Sequence, residues 1–434
     1  MSRKTVVCVA LAALFSSVGV IEAVAEGPTA TAPQKVGEVV CPPDNAGLIL
    51  PKGFCATVFA DVEGAPRHIA VASDGTVYLN AAIRHAKNTE GPIVGLKDTN
   101  GDGHADVIVR FGGDVPGGTG IALYKDWLYL ESNGRIIRYP RKDGEVALKG
   151  EPEIVVKDLP LGGNHTARPF AIDAEGNLFV DLGSATNSCQ QDDRTEESPG
   201  INPCEELKTR AGIWRFDANK TDQTFSAKER FATGLRNAMG IAIDADGRMY
   251  ATQHGRDQLY ENWPNLYNSQ QGSELPAEEL VLLKEGGDYG WPYCYFDGEQ
   301  NKLVLAPEYG GDGKKVGLCA EKLPPIAAFP GHWAPNDLQI YTGTQFPETY
   351  RGGAFIAFHG SWNRTSGPQA GYNVVFQPLA DGKASGKYMV FADGFRSGKD
   401  GIEHRPTGLA VGPDGSLYIA DDAAGRIWRV TYKG

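Results

Sequence analysis

One phrase recurs along the chain: apolar-Ala-apolar, a short spacer, an acid-Gly turn, one residue, then an apolar-aromatic-apolar run. The clear copies are Ile69-Ala-Val-Ala-Ser-Asp-Gly-Thr-Val-Tyr-Leu79, Phe170-Ala-Ile-Asp-Ala-Glu-Gly-Asn-Leu-Phe-Val180, Ile241-Ala-Ile-Asp-Ala-Asp-Gly-Arg-Met-Tyr-Ala251 and Leu409-Ala-Val-Gly-Pro-Asp-Gly-Ser-Leu-Tyr-Ile419. Two short apolar runs around an Asp-Gly or Glu-Gly turn form a β-hairpin. Weaker copies start at Ile121 and Leu338. One hairpin repeated through a long chain is the signature of radial repetition, so the expected fold is all-β, a six-bladed β-propeller.

The ends of the chain read differently. Arg3 and Lys4 precede an apolar run from Val6 to Leu14, and Ala23-Val24-Ala25 is a small-x-small cleavage site. Residues 1–25 therefore read as a secretory signal peptide. Residues 26–48, rich in Pro, Ala, Thr and Gly, read as a flexible lead-in, and residues 49–434 as a single propeller domain. A helical stub is expected near Pro276 to Glu285. The uneven spacing of the phrase places insertions after blades three and four, where long loops on a rigid scaffold carry binding.

A formal charge of −12 argues against nucleic acid and anionic membrane surfaces. Once Cys8 leaves with the signal, six cysteines remain. An even number in an exported chain points to disulfides, of which sequence allows fifteen pairings. Proximity favours Cys41–Cys55, Cys189–Cys204 and Cys294–Cys319. No CxxCH haem site is present. The chain is expected to be periplasmic or secreted.

The repeated turn also serves as a ruler. His165, Arg236 and His404 each lie eleven residues before the turn glycine of their own repeat; Asn237 and Arg405 lie ten before, and Arg67 and Arg168 eight before. Equivalent positions on different blades share one height around the axis. His165, Arg236, Asn237, His404 and Arg405 are therefore expected to ring one mouth of the central channel. Several cations and an imidazole there suit an anionic ligand and a general base.

Four segments carry a resemblance: Thr233-Gly-Leu-Arg-Asn-Ala-Met-Gly240, Gly286-Gly-Asp-Tyr-Gly-Trp-Pro292, Tyr341-Thr-Gly-Thr-Gln-Phe-Pro347 and Tyr350 to Arg364. From about Gly53 to its end the chain resembles the soluble PQQ-dependent sugar dehydrogenases, nearest the sorbosone dehydrogenase-like or pyranose dehydrogenase-like branch. The resemblance implies pyrroloquinoline quinone (PQQ) over the axis and calcium holding and polarising the quinone. It implies an exported oxidoreductase that transfers hydride from a sugar, polyol or aldehyde to PQQ and passes electrons to a separate acceptor such as a cytochrome or quinone.

The same resemblance makes His165 the catalytic base. Arg236 and Asn237 fall on the family's cofactor-binding pair, Arg405 on a carboxylate-binding arginine, and Arg364 on a basic residue of the preceding blade. Arg168 and His404 complete the expected cofactor set. Gly255 and Arg256, in Gln253-His-Gly-Arg-Asp257, would bind calcium through backbone oxygens; Met239 and Arg256 depart from the pattern of better-known members. The bottom-up chemistry agrees: guanidinium forks match carboxylates, calcium takes hard oxygens, and a quinone carries the redox chemistry.

A second calcium candidate is Asp98-Thr-Asn-Gly-Asp-Gly-His-Ala-Asp106, with Asp98, Asn100, Asp102 and Asp106 as oxygen donors. The simpler reading is a polar hairpin turn. Two alternatives to a dehydrogenase stand beside it: a calcium-dependent lactonase-type hydrolase and a non-catalytic propeller that binds a glycan or protein.

Overall fold

The computed structural model describes residues 39–82, 90–397 and 401–434. The expected signal peptide and the lead-in up to residue 38 lie outside them. The described residues form a six-bladed β-propeller. Blade 1 runs Ala65–Val71, Val77–Ala82, Ile93–Lys97 and Val107–Phe111. Blades 2 to 5 begin at Ile121–Tyr124, Phe170–Ile172, Ile241–Ile243 and Pro335–Ile340. Blade 6 begins at Pro406–Val411 and takes its outermost strand, Phe54–Asp61, from the start of the described chain. That strand pairs antiparallel with Arg426–Tyr432, Phe54 opposite Tyr432, and closes the ring.

The phrase explains this architecture residue by residue. Its first and last residues face each other across each hairpin: Ile69 with Leu79, Phe170 with Val180, Ile241 with Ala251, Leu409 with Ile419. The weak copies pair the same way, Ile121 with Leu130 and Leu338 with Ile356. The turn needs a residue at positive φ, and Gly75, Gly176, Gly247 and Gly415 supply it at 79°, 92°, 77° and 85°.

The apolar-aromatic-apolar run then divides between two seams, because successive strand side chains point to opposite faces. Val77 and Leu79 pack toward blade 6, whereas Tyr78 between them packs toward blade 2. Leu178 and Val180 face blade 2 while Phe179 faces blade 4. Leu417 and Ile419 face blade 5 while Tyr418 faces blade 1. The core is thus not one mass but six apolar layers, one between each pair of neighbouring blades.

Just beyond the phrase, the second strand carries a polar residue on four blades: Asn80, Glu131, Asp181 and Thr252. Each is buried. Asn80 Nδ2 donates to the Gly120 carbonyl of blade 2 at 3.0 Å, and Thr252 Oγ1 to the Pro335 carbonyl of blade 5 at 3.0 Å. These bonds stitch neighbouring blades near the axis.

Two expectations are corrected. The insertions lie inside blades 3 and 4 rather than after them: residues 183–211 and 254–277 between second and third strands, and residues 284–326 between the third and fourth strands of blade 4. Spacing between first strands measures the length of a blade, not where within it the extra residues sit. The segment expected as a helical stub holds the strand Glu278–Leu283, buried between its neighbours. The two α-helices among the described residues are Leu259–Asn262 and Ser269–Glu274, the second capped by Asn268 in a capping box with Gln271. No helix among these residues is long and apolar enough to cross a membrane. The favoured disulfides Cys41–Cys55, Cys189–Cys204 and Cys294–Cys319 are all present.

Candidate active site at the propeller mouth

In every blade the first strand runs away from one face and the second returns to it. Residues before a first strand and after a second strand therefore meet on that face. A cavity of about 310 Å³ opens there, lined by His165, Asn237, His332 and Ala334 from the first group and by Arg194, His254, Gly255, Asp257, Trp362 and Asn363 from the second. A wider one of about 540 Å³ adjoins it and shares Asn164, His165 and Asn237; Arg67, Thr119, Asn133, Met239 and Asn336 also line it.

His165 is half-buried. Its Nδ1 lies 3.0 Å from the Ser184 carbonyl oxygen and 2.9 Å from Ser184 Oγ. The Ser184 hydroxyl donates to the Thr186 carbonyl at 2.6 Å. A carbonyl only accepts, so Nδ1 carries the ring proton and Nε2 keeps its lone pair. Burial, with the Arg236 charge next, holds the imidazole well below its ordinary pKa. The ring is neutral near pH 7.

Arg236 is buried, and four of its N–H donors are taken. Nε donates to the Asn187 carbonyl at 3.0 Å, Nη1 to the Gly255 carbonyl at 3.0 Å, and Nη2 to Asn187 Oδ1 and Asp257 Oδ2, each at 2.9 Å. Asp257 is the hub of this wall: Asn363 Nδ2 donates to its Oδ1 at 2.8 Å, and Arg194 Nη2 to its Oδ2 at 2.9 Å. Burial works to raise the Asp257 pKa, but Arg236 and Arg194 outweigh it and hold the carboxyl well below the ordinary range. Glu278 accepts from the Gly255 and Ala334 amides at 2.9 and 3.2 Å. Burial pushes its pKa up to about 8 and that of His254 down to about 3. Near neutral pH the cavity therefore carries two guanidinium charges against one carboxylate.

Only part of the expected ring assembles. His165, Arg236 and Asn237 line one cavity. His404 turns away: its Nδ1 sits 2.6 Å from Asp421 Oδ2 and its ring packs edge-on against Trp428. Arg405 lies over the Tyr372 ring at 5.5 Å, its Nη2 donating to the Gly360 carbonyl at 3.4 Å. Arg364 ion-pairs with Glu274 and donates to the Ser273 carbonyl at 2.9 Å. Arg168 is buried and braces the site from behind, donating to the His165 carbonyl at 2.9 Å and the Pro160 carbonyl at 2.6 Å. Shared register fixes where a backbone sits; a nearby carboxylate or carbonyl then decides where its side chain goes.

Gly255 lines the cavity. The Arg256 side chain leaves it, pairing with the buried Glu308 and donating to Asn262 Oδ1 at 2.9 Å. In the Asp98–Asp106 loop the side-chain oxygens hold the loop's own backbone. Asp98 accepts from the Gly101 and Gly103 amides at 2.6 and 2.9 Å, Asn100 from Asp102 at 2.9 Å, Asp102 from His104 at 2.9 Å, and Asp106 from Thr99 at 2.7 Å. Among the described residues one trio of metal-ligand atoms clusters tightly, that of Cys189, Cys204 and Glu206. Its two sulfurs are spent in a disulfide.

Sequence reasoning missed Arg194, Asp257, Glu278, His332 and Asn363. Arg194 lies in the blade 3 insertion, which shares no register with any other blade. Asp257 was visible as the end of the calcium-loop segment.

The donor set fits the groups that the resemblance implies. For an anionic quinone there are two guanidiniums with N–H groups to spare. There is also a buried amide oxygen, Asn237 Oδ1, with no hydrogen-bond partner; such an atom at a cavity wall is matched to a ligand or water. For calcium, the Gly255 carbonyl and the Asp257 and Glu278 carboxyls are hard oxygens on one cavity.

Fold and site together define a six-bladed propeller with a cationic ligand cavity at the mouth of its axis. The chain belongs to the TrAA12-like family, whose model matches residues 48–433. It is 24% identical over 405 residues to an uncharacterised protein of Borreliella burgdorferi, covering 89% of this chain and 91% of that one. It is 27% identical over 231 residues to the pyrroloquinoline quinone-dependent pyranose dehydrogenase of Coprinopsis cinerea, covering 45% of this chain and 30% of that protein. The calcium structure of a Trichoderma reesei family AA12 carbohydrate-active enzyme shares the fold: TM-score 0.70 and 18% identity over 92% of this chain and 99% of that one.

Proposed function

We propose that the chain is an exported, PQQ-dependent and calcium-assisted dehydrogenase of a sugar or related polyol. The observation that carries this reading is His165: its Nδ1 proton is committed to the Ser184 carbonyl, and its basic Nε2 is left at a cavity that also holds Arg236 and Asn237. Family membership and the names of the relatives support the same reading.

When bound, PQQ supplies the two-electron acceptor for the carbon-bound hydride, and calcium polarises it. The protein does the rest. Arg236 and Arg194 orient the anionic group, and the Asn237 Oδ1 acceptor would take an N–H or O–H donor of the ligand. The Gly255 carbonyl and the Asp257 carboxylate offer oxygens to the ion, and Glu278 would join them on losing its proton. His165 Nε2 accepts the proton of the substrate hydroxyl as its C–H bond breaks. The wider cavity beside His165, with Asn133, Asn164, Asn336 and Thr119 on its walls, offers paired donors and acceptors to sugar hydroxyls. A separate cytochrome or quinone would take the electrons from the bound cofactor. Three disulfides suit a periplasmic or secreted setting.

The test is reconstitution. Purified protein is incubated with PQQ and calcium, then assayed for dye reduction with a panel of aldoses. Turnover that requires PQQ supports the reading; absence of both a thermal shift and turnover overturns it.

A further inference from the structure

The cation best placed to meet an anionic ligand is not on the repeated register. Arg194 stands in the loop closed by Cys189–Cys204 and lines the cavity with His165 and Asn237. Its backbone is at φ 60°, a conformation that costs free energy in a residue with a side chain and persists only where the surroundings impose it.

Those surroundings are built. The Arg194 amide donates to Gln190 Oε1 at 3.0 Å. Neighbouring Asp193 accepts from the Asn187 amide at 2.9 Å and from Asn164 Nδ2 at 3.1 Å. The Glu197 amide donates to the Asn262 carbonyl at 2.9 Å, and the Gly200 amide to the Glu308 carbonyl at 2.9 Å. The loop is thus tied to the residue beside His165, to the partner of Arg236, and to the blade 4 insertion.

The two arginines differ in what they have left to give. Arg236 spends four of its N–H donors on protein oxygens. Arg194 spends two, Nη1 on Gln258 Oε1 and Nη2 on Asp257 Oδ2, each at 2.9 Å. A guanidinium has five donors in a fixed fork, so Arg194 retains the larger share for a ligand. Asp257 is divided between both arginines, and Asp193 Oδ2 stands 4.0 Å from the Arg194 Nε.

We propose that Arg194 is a carboxylate-binding residue for the anionic cofactor, held in place by the Cys189–Cys204 bridge. This rests on the PQQ reading above, which names the anion; the residue and its loop are the new element.

The test measures binding without turnover. The whole protein is titrated with PQQ in the presence of calcium, following quenching of tryptophan emission, and then with the trimethyl ester of PQQ, which lacks the three negative charges. Arg194→Gln is expected to weaken PQQ binding at least tenfold and to leave ester binding within twofold of wild type. Arg194→Lys, which keeps the charge without the fork, is expected to fall between. The Cys189→Ser/Cys204→Ser double variant is expected to reproduce the loss, with no further loss when combined with Arg194→Gln. Equal PQQ binding by wild type and Arg194→Gln overturns the proposal and leaves the function standing. Equal loss of PQQ and ester binding also overturns it, since that marks a structural role. Wild-type protein that binds no PQQ overturns the function itself, and this proposal with it.

Discussion

Arg194 and Arg236 meet on a single atom: the Oδ2 of Asp257 lies 2.9 Å from an Nη2 of each. One carboxylate thus joins the blade 3 insertion to the first-strand entry of blade 4, and its Oδ1 reaches Asn363 of blade 5. Removing one member of a buried ion pair leaves its partner's charge uncompensated, at about 3–5 kcal/mol. Asp257→Asn is therefore expected to destabilise the protein by about that amount, with Arg236 and Arg194 as the stranded groups. Denaturant unfolding checks it. The double variant Asp257→Asn/Arg194→Gln is expected to recover part of the loss, because one of the two stranded charges is gone.

His165 and Ser184 yield a prediction about division of labour. The fixed acceptor of the Nδ1 proton is a backbone carbonyl, which no side-chain substitution removes. Ser184→Ala is therefore expected to keep turnover within tenfold of wild type. His165→Asn takes away the base and is expected to lower kcat by about 100- to 10,000-fold while PQQ binding persists. Steady-state rates alongside a PQQ titration separate the two effects.

What the sequence disclosed follows from what the repeat encodes. Alternation within Val77-Tyr78-Leu79 and its copies specifies two seams per strand, so blade number and core layers were legible from the phrase. Counting back from Gly176 and Gly247 found His165 and Arg236 because those entry loops have equal lengths. The same count found His404, yet Asp421 at the end of the neighbouring strand captures its ring; a ruler along the backbone carries no information about such a partner. Arg194 escaped because the blade 3 insertion follows no repeat, and His332 and Asn363 because blade 5 has a long hairpin turn without the acid-Gly pair from which to count. The strand Glu278–Leu283 escaped because two adjacent carboxyls resemble a helix start more than a buried strand.

Ring closure rests on Phe54. It begins the strand that completes blade 6, and its ring contacts Phe346, Phe391, Tyr432 and Tyr350 at centroid distances of 4.8, 4.9, 5.0 and 5.4 Å. Two of these partners, Phe346 and Tyr350, come from the hairpin turn of blade 5, so the ring bridges the blade 5–6 layer. Phe54→Ala is expected to cost about 3–5 kcal/mol through lost burial and the cavity left behind. A scan of thermal unfolding checks it, and limited proteolysis is expected to cut first near the released strand.

Glu279 gives the stability a pH dependence of defined sign. It is buried; its Oε1 accepts from Gln253 Nε2 at 3.2 Å, and its Oε2 has no partner. Burial pushes its pKa up to about 8, with the Gln253 bond opposing. In the unfolded chain the same carboxyl titrates near 4.5. Between these two values the folded protein keeps a proton that the unfolded chain has released. The folded state then binds more protons, so stability falls as pH rises through that window and levels off above about pH 8. Glu279→Gln removes the titration and keeps an acceptor for Gln253. Its thermal midpoint is expected to fall less than that of wild type between pH 5 and pH 8; a residual slope is expected from Glu278, which burial shifts the same way. Parallel curves for the two proteins would show that Glu279 is already ionised in the fold, and that its unpartnered oxygen is met by water.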